Sequence, residues 1–88
     1  MDVRKIVGTN VRLSRLRAGV SQEELALRAG LERGYVSGIE RCVRNPTIEV
    51  LQSLGSALGV HPRQFFDDLP KAGAPGGPPE LRRGRKAA

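Results

Sequence analysis

Eighty-eight residues hold at most one small domain, and with only Tyr35, Phe65 and Phe66 aromatic its core must use Leu, Val, Ile and Ala, which suits short packed helices. The lone Cys42 excludes an intrachain disulfide scaffold, and no hydrophobic run reaches signal-peptide or membrane-span length, so the expectation is a soluble, cytoplasmic protein with no membrane partner. The formal charge is +6, and because residues 1–70 carry ten Lys/Arg against eight Asp/Glu, +4 of it falls in residues 71–88; that balance suits a polyanionic partner without establishing one.

In chain order, Val3, Val7, Val11 and Ser14/Ala18 recur at helical spacing beside Ile6, Leu13 and Leu16. They predict an amphipathic helix over 3–18, closed by Gly19. Ser21, with Glu24 three residues on, carries a capping-box signature for a second helix over 22–29 that buries Leu25, Ala26 and Ala29. Only Gly30, Leu31 and Glu32 separate it from a third helix over 33–41, with Val36 and Ile39 on the inner face. Arg44-Asn45-Pro46 reads as a loop. Thr47 caps a fourth helix whose Ile48, Leu51, Leu54 and Leu58 mark a buried stripe, stopped by Gly59. His61-Pro62 opens a fifth short helix carrying Phe65 and Phe66 and ending near Asp68. His61 reads as a helix-start residue, since one histidine and one cysteine make no zinc set. After Pro70, the run Gly73, Pro75, Gly76, Gly77, Pro78 and Pro79 has the composition of a segment that packs no core. The expectation is an all-α bundle of five short helices over 1–69, followed by a flexible, basic, Pro/Gly-rich tail over 70–88.

Residues 22–41 carry the functional signal. Gln22, Ala26, Gly30, Val36 and Ile39 stand at relative positions 1, 5, 9, 15 and 18. Ala26 must be small where the next helix crosses it, and Gly30 takes a positive φ in the turn at little steric cost. Val36 and Ile39 anchor the third helix and leave its other face free. Two helices joined so tightly are held at a steep angle, so the second can protrude into a groove.

Ser21-Gln22-Glu23-Glu24-Leu25-Ala26, Ala29-Gly30, Tyr35-Val36-Ser37, Ile39-Glu40-Arg41 and Asn45-Pro46-Thr47 together resemble the phage repressor/Cro-type helix-turn-helix family. Leu51, Leu54, Ala57-Leu58-Gly59-Val60 and Phe65-Phe66 extend the likeness over about residues 4–68. Within that family the chain looks most like the small restriction–modification controller proteins and short phage-type repressors. The resemblance implies a lambda-repressor-like, sequence-specific double-stranded DNA-binding regulator, with the helix over 33–41 in the major groove.

The same resemblance implies roles for single residues. Gln22 would bind a phosphate at the start of helix two. Arg33 would reach base edges, where an arginine can bond bidentately to guanine O6 and N7. Glu32 and Ser37 share that exposed face and would contact bases or backbone, and Gly34 is grouped with the base-contacting positions. Gly34 and Gly38 stand where relatives often carry a reading side chain, which makes base contacts sparse and Arg33 correspondingly important. Tyr35, Arg41, Arg44 and Asn45 fall at expected phosphate contacts. Arg15 and Glu40 match a structural ion pair between helices one and three. Cys42 stands where relatives usually have a helix-ending glycine, and Ser14 where they usually have leucine. A homodimer would set two recognition helices ~34 Å apart on an inverted-repeat operator, with Phe66 and Leu69 at the two-fold contact.

Three function classes follow. The first is a transcriptional regulator; if an activator, it also needs a surface for RNA polymerase, for which Glu23-Glu24 is a candidate. The second is an antitoxin or adaptor that uses the same fold to bind a protein. The third, an enzyme, lacks a nucleophile–base pair, a carboxylate cluster, a phosphate-binding glycine loop and a metal set, so neither catalytic residues nor cofactors are expected. Cys42 is read as a plain thiol or a redox sensor, and Arg82-Arg83-Gly84-Arg85-Lys86 as non-specific phosphate attraction or as inert.

Overall fold

The computed structural model describes residues 2–70. Four α-helices follow one another: α1 Val3–Ala18, α2 Gln22–Ala29, α3 Arg33–Glu40 and α4 Ile48–Leu58. The last element is a five-residue 3-10 turn, Pro62–Phe66. Among the described residues there is no strand. The expected tail over 70–88 lies, from residue 71 onward, outside the described residues.

Local capping chemistry sets the helix limits. The Asp2 carboxylate accepts from the Arg4 and Lys5 N–H groups, at 3.1 and 3.4 Å. Ser21 Oγ accepts from Glu24 N at 3.0 Å, and Thr47 Oγ1 from Val50 N at 3.1 Å. Each removes a first-turn donor that lacks a helical partner. Gly30 ends α2 at φ 71°, and Leu31 N then returns to Ala26 O at 2.8 Å. That closure makes the α2–α3 connection short enough to fix the crossing of the two helices. After α3 no glycine is available: Arg41 caps at φ −83°, and Cys42 takes the left-handed conformation at φ 66°.

The core gathers one face of every element. Val7 and Val11 of α1, Leu25 and Ala26 of α2, Val36 and Ile39 of α3, and Leu51 and Leu54 of α4 close around the fully buried Phe65. Gly8 lets α1 lie directly against α3, since a Cβ there would collide with the Ile39 carbonyl. Leu13 is the buried neighbour of the half-buried Ser14, while Leu16 is exposed.

Two expectations are corrected. The fifth helix is only the 3-10 turn, so the α-helices among the described residues number four. His61 Nδ1 and Pro62 start it, but Asn10 Nδ2 donates to the carbonyls of Phe65 and Asp67, at 3.0 and 2.8 Å. Those acceptors are satisfied without a continuing helix, and Pro70 disfavours helical backbone at Leu69. The stripe on α4 is also narrower than its spacing implies. Ile48 is 82% exposed, Leu58 only partly buried, and Leu51, Leu54 and Gly55 form the packed face.

Candidate nucleic-acid interface

The exposed side of α3 is what its packing leaves over. Val36, Gly38, Ile39 and Glu40 are buried, so Arg33 and Gly34 point outward at its start, with Tyr35 and Ser37 half-buried beside them. Glu32 caps the helix through backbone alone: its carbonyl accepts from Tyr35 N and Val36 N at 3.0 and 3.2 Å, and its side chain makes no cap bond. A carboxylate and a guanidinium therefore stand side by side at the exposed N-terminus of α3.

Two concavities flank that start. On one side Arg33 shares a hollow with Arg15, Ser21, Gln22 and Glu23, which brings the beginnings of α2 and α3 to one surface. On the other, Glu32, Gly34 and Tyr35 share a hollow with Gly30, Leu31 and Arg44. Residues from the turn, from α3 and from the following loop thus meet across the first two turns of one helix. Arg41 runs back along α3, with Nε donating to Ser37 Oγ at 3.3 Å. Asn45 is exposed beyond it.

The two glycines of α3 differ. A Cβ at Gly34 would meet nothing within 4 Å, so this surface is bare. A Cβ at Gly38 would collide with the Arg44 side chain, because the arginine stem crosses the helix there. The Gly38 carbonyl also accepts from Val43 N and Arg44 N, at 2.9 and 3.1 Å. Gly38 is thus a seat for Arg44. Sequence reasoning missed this role, because nothing local marks a glycine that a later loop will cross.

Beneath the surface lies a polar brace. Arg15 Nε and Nη2 donate to Glu40 Oε2 and Oε1, at 2.7 and 3.0 Å, and Nη1 donates to Val20 O at 3.0 Å. The two side chains are 12% and 3% exposed. Gln22 Nε2 joins the same carboxylate, donating to Oε1 at 3.0 Å. Asn10, also unflagged by motif, had a legible signal: it follows Val7 by three residues on the apolar face of α1. Phe66 is 52% exposed and Leu69 half-buried, and Phe66 lines an apolar groove with Ile48, Leu51, Val60 and Pro62. Leu69 does not line it. Among the described residues no group of His, Cys, Asp and Glu is placed to hold a metal, and no helix is long and apolar enough to cross a membrane.

A short helix seated on its predecessor, with Arg33 at its exposed start and Arg41 capping its end, is the arrangement of a DNA-binding helix-turn-helix protein. The helix-turn-helix family matches residues 11–65, and the chain belongs to this family of transcriptional regulators. An HTH-type transcriptional regulator of Sinorhizobium fredii is 47% identical over 60 residues, covering 68% of this chain and 78% of its own. The control protein C.BamHI of Bacillus amyloliquefaciens is 39% identical over 67 residues, covering 75% and 83%. Among solved structures, the restriction-modification controller protein C.AhdI from Aeromonas hydrophila superposes with a TM-score of 0.70 at 40% identity, covering 72% of this chain and 91% of that one. The protein is a regulator of this class and not an enzyme.

Proposed function

We propose that this regulator reads a specific duplex sequence with α3 in the major groove, acting as a homodimer on an inverted repeat. The observation that carries the reading is the juxtaposition of Arg33 with Gln22 in one hollow, a base-reading guanidinium beside a helix N-terminus suited to a phosphate. Glu32, Gly34 and Ser37 complete the base-facing surface. Gln22, Tyr35, Arg41, Arg44 and Asn45 fix register through phosphates. Residues 1–69 form the DNA-binding unit, and 70–88 a basic extension of it.

The groove holding Phe66 and Ile48 supports the two-fold contact at Phe66, and the half-buried Leu69 is assigned to the same contact by the family resemblance alone. Solved relatives named as restriction-modification controller proteins favour a controller role for this chain. Each neutralised phosphate adds roughly 0.9 to the log–log salt slope, so affinity falls steeply with salt.

Binding-site selection from random duplexes, with Arg33→Ala beside the wild type, tests the proposal. The wild type enriches an inverted repeat, and the variant loses preference at a guanine, worth about 1–3 kcal/mol, while keeping non-specific affinity. No enriched sequence would sink the DNA-reading role and leave a protein-partner role on the same fold.

A further inference from the structure

The buried acid that ends α3 makes one hydrogen bond more than an ion pair needs. Arg15 already meets both oxygens of Glu40. Glu40 Oε1 nevertheless accepts a further bond from Gln22 Nε2, at 3.0 Å. Chemistry decides which way round that amide sits. Turned over, its carbonyl oxygen would face a carboxylate oxygen, two acceptors with no proton between them. One amide proton of Gln22 is therefore committed to Glu40. The other remains for an acceptor at the first turn of α2, where N–H groups without helical partners favour an anion.

We infer that Glu40 is a positioning residue for DNA binding, holding the Gln22 amide so that its second N–H donates to a backbone phosphate. The inference rests on the proposed Gln22–phosphate contact. Glu40 is the last residue of α3 and is tied to α1 by Arg15, so the phosphate grip of α2 and the reading helix are registered against one carboxylate. The side-chain freedom that an unheld glutamine loses on binding is lost here on folding instead.

The test titrates a random-sequence duplex with wild type, Gln22→Ala, Glu40→Gln and the double variant, with circular dichroism confirming the fold of each. Because Glu40→Gln strands a buried guanidinium, a second pair, Arg15→Met with Glu40→Leu, removes both charges together. Gln22→Ala weakens binding about tenfold. Each Glu40 change weakens it similarly alone, and adds less than about twofold in the Gln22→Ala background. A full second loss in that background overturns the inference, because Glu40 would then act through the fold and not through Gln22. In the free protein, NMR should show one slowly exchanging Gln22 side-chain proton, lost in the Arg15→Met/Glu40→Leu pair. Two rapidly exchanging protons in the wild type would also overturn it. A protected proton together with DNA binding indifferent to Gln22→Ala would place the failure in the phosphate contact itself, and the inference falls with it.

Discussion

The α2–α3 side and the α4 end of this small domain solve opposite problems. The first exposes Arg33, Glu32 and the bare Gly34, polar groups with little packing to hold them. Its geometry comes from below, through the nearly buried Glu40 that gathers Arg15 and Gln22. The second end exposes Ile48 and Phe66 around an apolar groove. Apolar contact is non-directional, so the two-fold contact proposed for that end would draw on area more than on preset hydrogen bonds. A surface that must present directed donors needs a polar skeleton behind it, whereas one that must bury area needs only shape.

The sharpest way to break this contrast is at adjacent phenylalanines. Phe65→Ala empties the centre of the core and lowers unfolding free energy by about 3–5 kcal/mol, measured by denaturant melts. Phe66→Ala leaves that melt nearly unchanged, and if the proposed homodimer pairs through this groove it shifts sedimentation toward monomer. Equal losses of stability from the two would erase the distinction between core and exposed groove.

The two glycines of α3 sharpen the comparison on the polar side. Gly38→Ala pushes Arg44 off its seat, keeping the fold while weakening duplex affinity about tenfold and reducing the salt slope by ~0.9. Gly34→Ala, in open space, raises stability by about 0.5 kcal/mol through helix propensity. If both variants bind DNA alike, Arg44 does not depend on its crossing of Gly38. A comparably small effect is expected at Cys42→Gly, which relieves the left-handed backbone at φ 66° and raises stability by about 1 kcal/mol, with the DNA footprint unchanged.

Much of this architecture is legible locally. Ser21, Thr47, Gly19, Gly30 and Gly59 each act on groups a few residues away, so their roles follow from sequence spacing. Even there the capping box is only half realised, because the Glu24 carboxylate turns to Arg28 at 2.6 Å. What spacing hides is competition from distant groups. Ile48 has the period of a buried residue but sits in the first turn of α4, with no element over it. The expected fifth helix fails because Asn10, some fifty-five residues earlier, takes its carbonyls. At the interface, residue types and their helices can be read in advance. The third bond to Glu40 and the seat at Gly38 arise only when α1, α2, α3 and the following loop are assembled.

The Asn10 clamp also bears on how the domain folds. Its amide holds carbonyls 55 and 57 residues downstream, so the polar side chain of α1 is satisfied only once nearly the whole described chain has come together. Closing so long a loop is entropically expensive and is repaid only when Phe65 enters the core at the same moment. A chain truncated before the 3-10 turn would therefore carry every residue of α3 without Phe65 in the core behind it.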